Sequence, residues 1–280
     1  MSGLTFNQAF GGGMGAGTLG GWVLPILASK SITITRKGKL QIAAMGSTGS
    51  GGFTSTGGEG ATGANSSPWG VKVIDVAVGD VVEFVIGAGA AGQTVPGTGI
   101  AGNATLVKLN GATIMTCNPG EPGIKGASFP LIQTAPTATV VGADYWVQGL
   151  RSGQLAAGAV GFGGAAVDVF RTGLGRSTGT PGGSVGADGN SSGTVYTAPL
   201  ALPSFELGIS FLGLNTAGLA GVAGNQTTPA GGLFAGGAGS VSGTNPGKGG
   251  RGAGGGGGYA GTTSGAGGDG YAFIVFQPEA

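Results

Sequence analysis

The stretch Gly249-Gly-Arg-Gly252-Ala-Gly-Gly255-Gly-Gly-Gly258-Tyr-Ala-Gly261 places glycine at every third position. A three-residue period is that of the polyproline II helix, and glycine at each turn lets neighbouring helices approach until their backbones touch. The stretch therefore predicts ordered polyglycine II segments that pack against one another. The same spacing recurs in shorter runs: Gly46, Gly49 and Gly52; Gly57, Gly60 and Gly63; Gly120, Gly123 and Gly126; Gly158, Gly161 and Gly164; Gly183, Gly186 and Gly189; and Gly218, Gly221 and Gly224.

The overall composition separates this chain from the common glycine-rich classes. Glycine fills 69 of the 280 positions, whereas ordinary proteins carry about 7% glycine. The period is interrupted every few residues and only 13 prolines are present, which excludes collagen. Hydrophobic residues make up 40% and charged residues 8%, the reverse of a solvated disordered chain. Because glycine loses the most backbone entropy on folding, a stable fold needs dense hydrogen bonding, apolar strands or oligomerisation.

The charged and reactive residues exclude several classes of function. The formal net charge is +1, and the one basic cluster, Arg36, Lys37 and Lys39, is typical of an exposed hairpin tip, so we expect no nucleic-acid partner. Without histidine no Ser-His-Asp triad can form, and the single cysteine, Cys117, provides neither an intrachain disulfide nor a metal cluster. We therefore expect a protein that is not an enzyme and binds no cofactor and no metal.

Two motifs resemble functional sites. The sequence Gly87-Ala-Gly-Ala-Ala-Gly92 matches the dinucleotide-binding pattern, but no helix signal follows it, and positions 105–118 hold no Asp or Glu to bind a ribose. Asp75, Asp80 and Glu83 cluster around one predicted turn. Paired carboxylates could serve a glycosidase, but the expected interpretation of these three is a solvated turn.

Alternation of apolar and polar residues predicts strands, and no amphipathic helix is found. The fold class we predict is all-β, with short antiparallel hairpins and interleaved glycine-rich polyglycine II-like segments. Three hairpins are expected: 31–36 with 39–45, turning at Lys37-Gly38; 71–78 with 81–86, turning at Gly79-Asp80; and 104–109 with 112–117, turning at Asn110-Gly111. Later strands are expected at 137–147, 195–198, 205–212 and 271–277.

The chain divides by composition into an attachment segment and one composite domain. Residues 1–29 carry no charged side chain, and 7 of the 19 residues at 10–28 are glycine, which does not fit a membrane span of about 20 mainly apolar residues. We predict that 1–30 is an attachment or oligomerisation segment and that 31–280 is the composite domain, with 127–230 as a variable middle insertion. The last strand, 271–277, would form an edge that needs covering, which favours self-association.

A resemblance to a known family rests on three stretches: Ile32-Thr-Ile-Thr35; Val76-Ala-Val-Gly-Asp-Val-Val-Glu-Phe-Val-Ile-Gly-Ala-Gly89; and the ending Gly-Gly-Gly-Gly-Gly-Tyr259 through Ala266-Gly-Gly-Asp-Gly-Tyr271 with Ile274-Val275. Their layout is similar to the glycine-rich domain at the receptor-binding end of bacteriophage tail fibres. The broken glycine period also resembles small adhesins on the long tail fibres of T-even-like phages, in which polyglycine II helices stack and the loops between them bind receptor. The resemblance covers residues 30–126 and 230–277.

The resemblance implies adhesion to a bacterial surface, without chemistry, by a receptor-binding protein of a virion tail or tail-fibre tip. The partners it implies are a bacterial surface receptor, either a glycan or an outer-membrane protein or appendage, and other tail or fibre proteins that dock through residues 1–30. A homotrimer is expected because most fibres are trimers. The alternative is a purely structural fibre or coat subunit that self-associates through glycine-rich packing and buries its aromatic side chains at subunit contacts.

The candidate receptor-binding residues are the most aromatic and charged group of the middle region: Asp144, Tyr145, Trp146, Arg151, Phe170 and Arg171. Aromatic rings with a polar group suit wet binding surfaces. The alternative is that these rings fill a small core. For Trp146 the two interpretations are balanced, whereas for Trp69 a core position is expected.

Overall fold

The computed structural model describes residues 22–55, 59–127, 131–152, 154–155, 161, 163–165, 230, 234, 236–240, 245–259 and 263–279. These residues form strands and irregular segments, and no helix occurs among them. The two large sheets are antiparallel throughout. The prediction of an all-β chain is confirmed.

Ten strands form two five-stranded sheets. Sheet I, in spatial order, contains β1 (Trp22–Ile26), β16 (Tyr271–Pro278), β3 (Gly38–Met45), β6 (Trp69–Val76) and β13 (Tyr145–Val147). Sheet II contains β12 (Val140–Val141), β9 (Ala112–Cys117), β8 (Thr105–Leu109), β7 (Val81–Val85) and β2 (Lys30–Thr33). Two-residue strands form three further pairs: β10 (Lys125–Gly126) with β5 (Gly60–Ala61), β11 (Leu131–Ile132) with β14 (Gln154–Leu155), and β15 (Gly258–Tyr259) with β4 (Phe53–Thr54).

The two large sheets enclose an apolar core, and together we call them the sandwich. Leu40, Ile42 and Ile274 of sheet I belong to the same buried cluster as Phe84 and Val107 of sheet II. These positions alternate with others along each strand, because successive side chains point to opposite faces. The predicted burial of Trp69 is also confirmed, since its side chain has no exposed surface.

The Asn110-Gly111 hairpin is confirmed. It joins β8 to β9 with φ angles of 50° at Asn110 and 83° at Gly111. A type I′ turn requires positive φ at both central residues, and Asn-Gly supplies it at low cost.

The other two predicted hairpins are wrong. β2 pairs with β7 and β3 pairs with β6, so both connections cross from one sheet to the other. In the connection from β6 to β7, the amide of Asp80 donates to Ala77 O (3.2 Å). Gly79 is the one residue of this turn with a positive φ angle, at 92°. This is the pattern of a type II turn, whose twist splays the flanking strands. In the connection from β2 to β3, Gly38 does not have a positive φ angle and already lies within β3.

The last strand is not an edge, which corrects a second expectation. β16 lies between β1 and β3. Pro25 hid β1 from pattern analysis, but proline is tolerated on an edge strand, which is the place of β1. The argument for self-association from an exposed final strand therefore fails. Residues 22–26 of the predicted attachment segment belong to the sandwich, and residues 1–21 lie outside the described residues.

The predicted strand 137–147 is two strands. β12 belongs to sheet II and β13 to sheet I, and the chain turns between them at Gly142, whose φ is 81°. The predicted strands 195–198 and 205–212 lie outside the described residues.

Glycine-rich segments extend directly from one end of the sandwich. β3 leads into 46–54, β9 leads into 118–126, and 263–270 leads into β16. Together with other glycine-rich segments they form a unit that we call the glycine bundle. It consists of the described residues within 46–54, 60–68, 87–103, 118–126, 161–165, 236–240, 245–250, 252–258 and 263–270. At about 3.1 Å per residue, segment 46–54 is about 25 Å long.

Segment 46–54 is surrounded within the bundle. The amides of Ser50 and Phe53 donate to Ile100 O (3.0 Å) and Gly97 O (2.9 Å), so donors and acceptors both repeat every three residues. The amides of Thr48 and Gly51, also three apart, donate to a different neighbour. Backbone hydrogen bonds join 46–54 to six segments: 60–68, 87–93, 97–103, 118–126, 252–258 and 263–270.

Segment 252–258 is a second surrounded segment. Its backbone hydrogen bonds reach 46–54, 60–68, 161–165, 236–240, 245–250 and 263–270, and all its residues are buried. A polyproline II-like backbone has no internal hydrogen bonds, so its amides and carbonyls must find partners on other segments. The hydrogen bonding is typical of packed polyglycine II helices, and that conformation stays a prediction.

The bundle requires glycine because its backbones lie too close for a side chain. A Cβ on Gly51, Gly254 or Gly256 would lie within 3.0 Å of backbone atoms of a neighbouring segment. Such a contact forces the backbones apart. At these positions glycine permits the close approach of neighbouring backbones.

Candidate functional site

The predicted receptor-binding residues do not form one cluster in the described part of the chain. Asp144, Tyr145 and Trp146 lie at β13, the edge strand of sheet I. Arg151 lies beyond it and is exposed. Phe170 and Arg171 lie outside the described residues.

Tyr145 and Trp146 point to opposite faces of sheet I. Trp146 pairs with Gly70, and its side chain is 37% exposed. Tyr145 packs edge-on against the buried Trp69, with ring centroids 6.1 Å apart and an interplanar angle of 62°. Tyr145 therefore packs on Trp69 and is partly buried, whereas Trp146 is exposed.

Asp144 is held at the start of β13 by the neighbouring strand. Its Oδ2 accepts the amide of Val73 (2.7 Å), and its own amide donates to Val71 O (2.8 Å). Lys72 Nζ lies 3.5 Å from Asp144 Oδ1 and donates to Gly142 O (2.7 Å). The carboxylate is thus fixed and charge-balanced beside Trp146.

Gln148 is a candidate that the sequence analysis missed. It lies two residues after Trp146 and is exposed, as are Asp144 and Trp146. Its Nε2 donates to Pro136 O (2.9 Å) and Ala138 O (3.1 Å). The signal was the i, i+2 spacing from Trp146, since alternate residues of a strand share a face. We call Asp144, Trp146 and Gln148 the β13 face.

Glu121 holds the loop that orients Gln148. Its Oε1 accepts the amides of Thr137 (2.6 Å) and Ala138 (2.7 Å), and its Oε2 accepts Asn65 Nδ2 (2.9 Å). Burial alone would raise the pKa of this carboxyl, but hydrogen bonds from Asn65 and Thr137 outweigh it and hold the pKa below its ordinary value. The loop that orients Gln148 is therefore held by a half-buried polar network.

Arg151 belongs to the glycine bundle rather than to the β13 face. The amide of Leu150 donates to Ser66 Oγ (2.8 Å), and Ser152 Oγ donates to Gly63 O (2.8 Å). These bonds fix Arg151 beside segment 60–68, five residues beyond Trp146. The structure therefore separates Arg151 from Trp146, which the sequence analysis had grouped.

A second candidate surface is the end of the bundle away from the sandwich, which we call the tip. The chain reverses there between Gln93 and Gly97, and Val95 at this turn is 69% exposed. Thr54 Oγ1 donates to Glu59 Oε2 (2.6 Å), and Lys125 Nζ lies 3.0 Å from the same oxygen. Hydrogen bonds from Thr54 and Lys125 lower the pKa of Glu59. The tip thus combines an ordered ion pair with an exposed aliphatic loop.

The described residues offer no arrangement for metal chemistry. No group of three or more His, Cys, Asp or Glu that could hold a metal ion occurs among them. Asp75, Asp80 and Glu83 serve as partners of Lys39, Asn110 and Lys108. Cys117 is fully buried, and burial raises the pKa of its thiol, which keeps it protonated.

Within the described part of the chain, no helix is long and apolar enough to cross a membrane. No protein-family model matches the sequence, and no curated protein matches it.

Proposed function

We propose that this chain is a receptor-binding protein of a bacteriophage tail or tail-fibre tip, which attaches the virion to a bacterial surface receptor. The observation that carries the proposal is the placement of the sandwich and the tip at opposite ends of the surrounded glycine segments. A backbone-bonded scaffold holds its loops in fixed positions, and preorganised loops lose little entropy on binding.

The ends of the molecule suit two different partners. Trp22 pairs with Phe276, and Gly38 pairs with Pro278, so these residues mark the sandwich end that lies away from the bundle. Residues 1–21 join the sandwich at this end. We propose that this end docks onto other tail or fibre proteins while the tip faces the cell. A homotrimer remains part of the proposal, because several weak sites per virion gain avidity without new contacts.

Binding of the fluorescently labelled chain to a panel of intact bacteria tests the proposal. Saturable binding restricted to some strains is expected. The variant Val95→Asp places a charge on the exposed tip loop and should weaken that binding, whereas Val78→Asp, on a 68% exposed valine at the sandwich end, should not. A folded protein that binds no strain would overturn the proposal in favour of a structural subunit.

A further inference from the structure

We infer that the β13 face (Asp144, Trp146 and Gln148) binds a neutral saccharide. The inference goes beyond the proposed function, because it names a ligand class for a surface on the flank of the molecule, distinct from the tip. Three properties support it: an exposed indole, fixed polar groups on both sides of it, and local charge balance.

The indole of Trp146 is available as a platform. It is an exposed aromatic side chain, at 37% exposure. About two thirds of its surface is buried. The residue paired with it, Gly70, has no side chain, and Val140 and Ala143 pack against the backbone there. A pyranose ring presents a face of C–H groups, and aromatic π faces attract the positive edges of such groups.

The polar side chains on both sides of the indole, Gln148 and Asp144, can each accept a further hydrogen bond. Gln148 uses both N–H donors on carbonyl oxygens, which leaves its Oε1 to accept a hydroxyl group. Asp144 Oδ2 accepts one amide proton and retains a second lone pair. Both side chains are already fixed, so accepting a sugar hydroxyl would order few additional rotors.

The charge of the surface selects the ligand class. Lys72 lies 3.5 Å from Asp144 and neutralises it, so the face offers no net charge to an anionic or cationic ligand. One indole with hydrogen-bond acceptors beside it matches a ring that has an apolar face and equatorial hydroxyls. A protein receptor would need about 800 Å² on each partner, and the three-residue strand β13 is a small part of such an area.

Saturation-transfer NMR of the full chain tests the inference, with methyl β-glucoside, methyl β-galactoside, methyl β-N-acetylglucosaminide and the delipidated polysaccharide of bacterial lipopolysaccharide as probes. Wild type should bind at least one probe saturably. Trp146→Ala should weaken that binding by about tenfold or more, equivalent to about 1.4 kcal/mol, whereas Trp146→Phe should retain most of it. Gln148→Ala should give an intermediate loss.

The matched control is Val141→Ala, on an apolar residue of β12 that is 60% exposed, and it should leave binding unchanged. Trp146→Phe and Gln148→Ala keep the test decisive if Trp146→Ala does not fold. Absence of binding to every probe by the folded wild type, or equal binding by wild type and the Trp146 and Gln148 variants, overturns the inference.

Binding to intact bacteria, measured in parallel, separates this inference from the proposed function. Cell binding that persists in Trp146→Phe and Trp146→Ala, without saccharide binding, would refute the saccharide site and leave the adhesin intact. Saccharide binding without binding to any strain would refute the adhesin and leave the site intact.

Discussion

The sandwich and the glycine bundle are joined by continuous strands, yet they are stabilised in different ways. In the sandwich, large side chains such as Phe84 and Ile274 meet between two sheets. In the bundle, segments 46–54 and 252–258 are each hydrogen-bonded to six neighbours through their backbones. The sandwich gains from apolar burial, whereas the bundle gains from satisfied amides and carbonyls at close range. A chain poor in large side chains can thus still build an ordered interior.

Small hydroxyl side chains complete the bundle where glycine is absent. Thr48 Oγ1 donates to Ala253 O (2.7 Å) and accepts the amide of Gly268 (2.8 Å). Ser240 Oγ accepts the amide of Tyr259 (2.6 Å). These hydroxyls replace backbone partners. The two regions should therefore lose different amounts of stability when a large apolar side chain is truncated, a methyl group is added or a hydroxyl is removed.

The largest effect is expected in the sandwich core. Phe84→Ala removes a ring with no exposed surface and should lower the free energy of unfolding by about 3–5 kcal/mol. Chemical denaturation measures it. Val78→Ala, at an exposed position, should change the free energy by less than about 0.5 kcal/mol. Equal, small losses for the two variants would show that the sandwich core contributes little.

The next largest effect should come from a single methyl group in the bundle. Gly254→Ala places a Cβ against the carbonyl group of Ala64 and should cost about 1–3 kcal/mol or more, because packed backbones must separate. Gly97→Ala is the matched control, since the nearest atom to its Cβ would be Gln93 Oε1 at 3.8 Å. If thermal unfolding finds both alanine variants as stable as wild type, the bundle is not closely packed.

Loss of one buried hydroxyl should have a smaller effect. Thr48→Val keeps the shape of the side chain but removes its hydrogen bonds to Ala253 O and the amide of Gly268. These two groups stay bonded to each other (3.1 Å), so the cost should be about 1–1.5 kcal/mol. Thr35→Val, at an exposed position, should be neutral in the same denaturation experiment. A neutral Thr48→Val would argue that hydroxyls merely fill space.

Glycine in the sandwich turn should respond for another reason. A Cβ on Gly111 would meet nothing within 4 Å, but its φ is 83°. Gly111→Ala should therefore cost about 1 kcal/mol through backbone strain alone. A shift in the denaturation midpoint as large as that of Gly254→Ala would remove the distinction between conformational and packing roles of glycine.

The smallest effect should appear on acidification. The pKa of Glu121 is lowered in the folded state, so its contribution to stability is present above the unfolded pKa, about 4.3, and is lost as the pH falls through the folded pKa. The thermal midpoint of wild type should fall below pH 4.3 more steeply than that of Glu121→Gln. Parallel pH profiles for wild type and Glu121→Gln would show that the hydrogen bonds of the Glu121 carboxylate do not contribute to stability.

Much of this fold could be predicted from local patterns, and the errors concern long-range pairing. The alternating stretches that fall within the described residues contain strands, and Asn110-Gly111 supplied the turn chemistry of a hairpin. The turn at Gly79 has a positive φ angle at one position only, whereas a type I′ hairpin turn needs two. In addition, the alternation of apolar and polar residues does not indicate which sheet a strand joins. β1 was missed because Pro25 interrupts it. The partners of the glycine runs could not be predicted, because backbone hydrogen bonding leaves no side-chain signature.

The candidate site shows the same limit. Spacing placed Asp144 and Trp146 together, but it could not show that Tyr145 turns away to pack on Trp69. Gln148 was missed because an uncharged amide has no motif, and its orientation depends on Glu121, far away in sequence. Arg151 was grouped with the site by proximity along the chain, whereas the structure fixes it beside segment 60–68.

Native-state amide hydrogen exchange tests the difference between the two regions most directly. The amides of Gly51, Gly52, Gly254 and Gly256 are hydrogen-bonded in the bundle and should exchange as slowly as those of β3 and β16, which are central in sheet I. The turn amides of Thr94 and Val95 should exchange rapidly. Bundle amides that exchange as fast as those turn amides, while β3 stays protected, would contradict the account of a backbone-bonded scaffold.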